Sequence, residues 1–269
     1  MKLLCCLLTM LFLTPLSGLA SDFDDFSITS EISKGTQRLS QEAIGVVSTP
    51  FKIENGNILL TLGVIGATSL TYAFDLDIQR KLQSDKSIGM TKTTDVGSLV
   101  GDPFIHLGIA AIVYSTAIAA DSHKWKETGE MMGEALILAD ASTFFIKEAV
   151  GRGRPDTTSS KRNFNSFGFK SDYDAFPSMH TSSSFALASV LAATSETVAM
   201  KTVYYSAATF VAFSRLYQNK HWASDVIFGA ALGELCGRVV TSYHASGKRV
   251  AIVPQAYESG AGLALVGKW

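Results

Sequence analysis

His221 and Asp225 stand four residues apart in the stretch Ser214-Arg215-Leu216-Tyr217-Gln218-Asn219-Lys220-His221-Trp222-Ala223-Ser224-Asp225. On a helix that spacing puts them on one face. A carboxylate so placed can accept the proton of one imidazole nitrogen, which fixes the tautomer and leaves the other nitrogen a lone pair for attack. Arg215, just upstream, could hold an anion beside the pair. The same two residues would also serve as a plain hydrogen bond or as half of a metal site, so their meaning depends on the rest of the chain.

Two other stretches carry compatible chemistry. Lys147 closes an apolar-periodic segment that Gly151 and Gly153 stop, and Arg154-Pro155 opens a polar loop reaching Phe176. Pro177-Ser178-Met179-His180 then precedes Thr181 to Ala193, which reads as a new helix whose free N–H groups attract anions. Phosphoryl transfer needs positive charge and N–H donors on the non-bridging oxygens, an in-line nucleophile, and an acid for the leaving oxygen. Lys147, Arg154 and Arg215 can supply the charge, the arginines holding two oxygens at once. Ser178 and the backbone at Met179 and His180 can donate to the same group.

In chain order, Lys147 with six residues to Arg154-Pro155, then Pro177-Ser178-Met179-His180, then Ser214-Arg215 with five residues to His221 and three more to Asp225, resemble three signatures. They are those of the type 2 phosphatidic acid phosphatase and vanadium haloperoxidase superfamily. The first and third match at every fixed position; the second departs at Met179, where that family most often has Gly. The resemblance spans residues 147–225, under a third of the chain.

The resemblance implies an all-α bundle and assigns roles. Lys147, Arg154, Ser178, Met179 and Arg215 would bind phosphate. His221 would attack phosphorus to give a phosphohistidine, Asp225 would orient and polarise it, and His180 would protonate the leaving alkoxide. No metal ion or other cofactor is required by that scheme, and vanadate is expected to inhibit by mimicking phosphate. The two histidines would need different protonation states, giving a bell-shaped rate profile. Met179 keeps its N–H, but a side chain replaces hydrogen where a phosphate must approach; altered substrate fit is expected before loss of activity.

The elements that must position these residues can be read in outline. Residues 1–20 carry Lys2, an apolar run from Leu3 to Leu13, and Gly18 and Ala20 before an acidic stretch, the pattern of a cleavable secretory signal. Cleavage would remove Cys5 and Cys6, leaving Cys236 as the lone cysteine, so no intramolecular disulfide is expected. Without Lys2 the count is 22 basic against 24 acidic residues, a formal charge of −2 that gives no footprint for nucleic acid.

Residues 21–56 form a polar arm, read as mobile with a short helix. Residues 57–246 form the helical domain, about six helices, and 247–269 a tail with two short strands, Val250 to Val253 and Leu263 to Val266. Ile58 to Phe74 and Phe104 to Ala120 are apolar runs near the lower limit for crossing a bilayer. The last helix, from His221 to about Tyr243, carries Gly229, Gly233 and Gly237 four apart, a seam for close helix approach. Arg152, Lys220, His123 and His244 lie outside the motif positions and are expected to be structural, as is His106, a core hydrogen-bonder.

The function expected is hydrolysis of a phosphomonoester or diphosphate, with a lipid as substrate. The alternative is a soluble periplasmic acid phosphatase of broad specificity. Less favoured are a vanadium haloperoxidase and a non-catalytic phosphate-binding membrane protein. Partners are limited to a phosphorylated small molecule or lipid and a membrane surface, with the site on the outer side of the inner membrane or in the periplasm.

Overall fold

The computed structural model describes residues 28–53, 56–246, 250–257 and 260–267, with backbone only for 28–30 and for the last two segments. The secretory signal expected at 1–20 lies outside them. Two units are distinguished, one ending at Thr36 and one from Gln37 onward; the packing below concerns the second.

Among the described residues there are eight α-helices: α1 Ile28–Ser48, α2 Asn57–Ser84, α3 Ile88–Val100, α4 Pro103–Ala119, α5 His123–Val150, α6 Met179–Thr194, α7 Val198–Tyr217 and α8 Ala223–Ser246. An antiparallel hairpin follows, β1 Val250–Tyr257 and β2 Gly260–Gly267. The class is all-α, as expected, with more helices than the six foreseen. The arm holds a 21-residue helix in place of a short one, because Leu39, Ala43 and Val46 recur at helical spacing and pack on the core. α2 runs on through the charged residues after Phe74 to Ser84, and Ser87 restarts the chain as α3 by accepting from the Met90 N–H. Asp102 caps α4 in the same way, with Pro103 in its first turn.

The core lies between α5, α6 and α8, where Met132, Ala135, Leu136, Ala139, Ala186, Val190, Cys236 and Val240 are buried together. α6 is built of small residues, and Thr181 through Ser184, Ala186, Ala188 and Ser189 are all buried. The glycine seam of α8 fits against it. A Cβ at Gly233 would stand 2.0 Å from the Ser182 carbonyl oxygen, and one at Gly229 2.7 Å from that of Ser178. Close backbone approach here brings the start of α6 against the start of α8.

α2 differs from the core helices. Asp75 is its one buried residue, while Leu59, Leu60, Leu62, Ile65, Leu70 and Phe74 are exposed. It is long and apolar enough to cross a bilayer, and α3 with α4, bent by 52°, passes the same test as a pair. A continuous exposed apolar helix is stable in lipid and costly in water.

Candidate active site

α5 ends just after Lys147. Gly151 takes the left-handed conformation (φ 60°) and donates to the Lys147 carbonyl at 2.7 Å, a C-cap that favours glycine. The turn carries Arg152 and Arg154 back over the helix end. The loop from 151 to 178 is held by backbone pairs: Gly153 to Asn163 at 2.8 Å, Arg154 to Asp172 at 2.9 Å and Ala175 to Arg152 at 2.9 Å. A long loop of this kind commonly covers a site, and this one places Asp174 beside Lys147 and Ala175 beside His221.

His221 does not lie on a helix. Asn219, in the left-handed region at φ 62°, turns the chain after α7, and α8 begins only at Ala223. Asp225 therefore does not accept the His221 proton by helical register; its Oδ2 stands 3.8 Å from Nδ1. The acceptor is the Ala175 carbonyl, 2.6 Å from Nδ1. That bond puts the proton on Nδ1 and leaves Nε2 with the lone pair, the outcome expected of the carboxylate but delivered by the loop backbone. Asp225 instead accepts from the Trp222 N–H at 2.8 Å, the reach-back of a capping box at the start of α8.

Asp225 is also held by Arg152, which the sequence reading set aside as structural. The Arg152 guanidinium, 2% exposed, donates to Asp225 Oδ1, to Asp75 Oδ2 at 2.8 Å and to Ser224 Oγ at 2.7 Å. Asp75 accepts further from the Ser224 N–H at 2.9 Å and its hydroxyl at 2.6 Å. Tyr72 and Trp222 stack on the guanidinium, 4.8 and 5.4 Å from their ring centres. Neither Asp75 nor Arg152 stands out by spacing. Asp75 had one signal, a carboxylate closing an apolar run.

The expected phosphate ligands converge. Arg154 donates through Nε and Nη2 to both oxygens of Asp174, at 2.8 Å for Nη2, and Lys147 donates to the Asp174 carbonyl. Arg154 Nη1 and the remaining ammonium protons of Lys147 are left for an anion. Arg215 donates through Nη1 to Ser98 at 2.6 Å and Gln218 at 3.2 Å, while its buried Nε has no partner among the described residues. Ser178 precedes the first turn of α6 without using its hydroxyl as a cap, and accepts from Thr181 Oγ1 at 3.0 Å. The N–H groups of Met179 and His180 head that helix, where an oxyanion is favoured. Lys220 pairs with Asp156 at 2.6 Å and His106 with Ser183 at 3.0 Å, both structural as expected.

These groups all lie outside the two candidate spanning segments, and their protonation follows from burial and crowding of positive charge. Burial, then Lys147, Arg215 and Arg154, push His221 well below the usual histidine range. Burial, then Arg215, His221 and Lys147, push His180 down to about 2. Both shifts favour the neutral imidazole. Burial lowers Lys147 to about 8.

Fold and site together give a helical bundle in which three cations, a helix start and two histidines lie near one another. Residues 131–249 match the model of the PAP2 superfamily. Lipid A 1-phosphatase of Porphyromonas gingivalis is 28% identical over 240 residues, covering 87% of this chain and 48% of that protein, so the chain spans about half the length of this curated relative. The transmembrane PAP2-type phosphatidylglycerolphosphate phosphatase of Bacillus subtilis shares the fold, with a TM-score of 0.52 and 16% identity over 70% of this chain and 97% of that one. LpxE of Aquifex aeolicus aligns at a TM-score of 0.47 and 20% identity, over 62% of this chain and 94% of that one.

Two outcomes follow from the geometry. Arg152→Met leaves two buried carboxylates unpaired and lowers stability by about 3–5 kcal/mol, read as a fall in the urea midpoint, whereas Lys220→Met shifts it by under ~1 kcal/mol. In the mechanism proposed below, His221 attacks as the neutral imidazole and Lys147 binds phosphate as the cation. His221 therefore sets no acid limb near pH 6.5, because it gains a proton only well below that value, and the rate falls on the basic side as Lys147 loses its charge near the value of about 8. Lys147→Arg moves that basic limb upward in a pH–rate series.

Proposed function

We propose that the chain is a phosphatase acting on a phosphomonoester or diphosphate at the head of a lipid, by way of a phosphohistidine on His221. The observation that carries this reading is His221 itself: Nδ1 is tied to the Ala175 carbonyl, and Nε2 is free among Lys147, Arg154 and Arg215.

Phosphate enters with its non-bridging oxygens toward Lys147, Arg154, Arg215, Ser178 and the first N–H groups of α6. Its negative charge offsets the cations around His180, which then binds a proton. Nε2 of His221 attacks phosphorus, the bond to the lipid oxygen breaks, and His180 delivers its proton to that oxygen. Water, losing a proton to the now neutral His180, attacks the phosphohistidine and releases inorganic phosphate with His221 restored. Positive charge on the non-bridging oxygens lowers the barrier for both steps. Asp225 fixes the start of α8, and so the turn carrying His221, without touching the reacting atoms. No step calls for a metal ion, and vanadate competes for the same donors.

The lipid assignment rests on three supports. α2 exposes its apolar face along its length. Phe164, Phe167 and Phe169 are exposed on the loop that covers the site. An open apolar groove lined by Leu70, Phe74, Ile78, Leu82, Phe213 and Leu216 runs between α2 and α7, next in sequence to Arg215. The curated relative is named for phosphate removal from lipid A, which makes lipid A the first substrate to assay. The expected setting is an exported protein held in the inner membrane with its site on the outer side. The exposed face of α2 disfavours the soluble acid phosphatase.

Phosphate release from lipid A, phosphatidate and p-nitrophenyl phosphate in detergent micelles with EDTA present tests this. The expected result is turnover of a lipid at a kcat/KM at least tenfold above that of p-nitrophenyl phosphate, reduced by about 10³-fold or more in His221→Ala. Equal rates in the variant and the parent would overturn the histidine mechanism. Preference for p-nitrophenyl phosphate would overturn the lipid assignment.

A further inference from the structure

A second cluster of ionisable groups lies about 28 Å along α8 from Asp225, by the 1.5 Å rise per residue. There His244 meets Glu42 of α1 and Glu134 of α5, and one ligand atom from each lies within 4.8 Å of the others. Nε2 of His244 is 2.7 Å from Glu134 Oε2 and 3.8 Å from Glu42 Oε1. Glu42 is fully buried, and among the described residues neither of its carboxylate oxygens has a hydrogen-bond donor. A carboxylate in that state is strongly disfavoured unless something positive faces it. Arg38 is engaged elsewhere: its Nε donates to Glu134 Oε1 at 2.6 Å and its Nη2 pairs with Glu130 at 3.2 Å.

We propose that Glu42, Glu134 and His244 form a structural site for one first-row divalent cation, with Zn²⁺ the best fit. Imidazole nitrogen with two carboxylate oxygens is a donor set for this borderline ion. On binding, Nε2 of His244 gives up its proton to solvent and coordinates through its lone pair. Nδ1–H then donates to Glu127, whose Oε1 is 3.4 Å away, the carboxylate–histidine–metal arrangement that orients a ligand ring. Arg38 keeps Glu134 Oε1 and leaves Oε2 to the ion, and Glu42 contributes the oxygen that now lacks a partner. Two carboxylates balance the ion's charge. The site clamps α1 to α5 and α8 in a protein whose one described cysteine is buried and free, and it takes no part in the phosphate chemistry.

The competing arrangement is a proton held on Glu42 between Glu134 and His244, and it responds oppositely to the same measurements. Untagged full-length protein in detergent is stripped with EDTA, dialysed against Zn²⁺, and assayed for bound metal and thermal midpoint. The site predicts about one Zn²⁺ per chain and a midpoint raised by several degrees, at about 2–4 °C per kcal/mol for a chain of this size. Both responses are lost in Glu42→Gln and His244→Gln and kept in His221→Ala, which separates this site from the histidines of the phosphate pocket. A parent protein that binds no stoichiometric metal and whose midpoint ignores Zn²⁺ would overturn the proposal. So would a Glu42→Gln variant that is more stable than the parent and unchanged in metal content.

Discussion

A single buried guanidinium holds the site in register. Arg152 is enclosed by Asp75 of α2, Ser224 and Asp225 of α8, and the rings of Tyr72 and Trp222. Two carboxylates and one arginine out of water are tolerable only as a fully hydrogen-bonded set, and that requirement fixes the positions of three chain segments at once. The loop that leaves α5 must return Arg152 under α8. The apolar α2 must present Asp75 at one height. The first turn of α8 must start at Ala223, which sets His221 in the preceding turn. Trp222 adds a bond from its indole N–H to the Gly153 carbonyl at 2.9 Å.

The site concentrates positive charge, and the fold spends its acidic groups managing that charge. Asp174 lies between Lys147 and Arg154; burial disfavours its charge, but Arg154 and Lys147 outweigh burial and hold the carboxyl below its usual range. This arrangement orients both cations while leaving donors over, and it keeps two positive side chains from repelling one another across an empty pocket. The cost falls on the histidines, which stay neutral until an anion arrives. In the proposed mechanism, an anionic substrate relieves the crowding that disfavours a proton on His180.

Much of this was legible in the residue order. The spacing of Lys147, Arg154, Ser178, His180, Arg215 and His221 points to a phosphate site because each role demands a particular side chain, and in the structure those residues lie at helix ends and in the turns beside them. The glycines of α8 foretold the close approach to α6. What escaped were interactions whose partners are set by tertiary packing. Reading His221 and Asp225 as one helix face assumed that the helix had already begun. Asp225 caps that helix by reaching back to Trp222, so the imidazole turns to the Ala175 carbonyl, and no pattern of side chains announces a backbone acceptor. Arg152 was invisible for a related reason, since a buried arginine is defined by Asp75, some eighty residues away. The length of α1 was underestimated because it carries polar residues such as Arg38, which pairs with Glu130 and Glu134 of α5 in the fold, and polarity alone suggested an arm. The number of helices rose for a similar reason, as charged residues in α2 and around α3 disguised helices with exposed faces.

The measurement that bears most directly on the account is the site of phosphorylation on the trapped intermediate. Rapid acid-free quenching during lipid turnover, followed by ³¹P NMR of the denatured protein at alkaline pH, distinguishes phosphate on the two imidazole nitrogens. With Nδ1 committed to the Ala175 carbonyl, the account predicts phosphate on Nε2 of His221. Phosphate on Nδ1, on His180, or on Ser178 would contradict it.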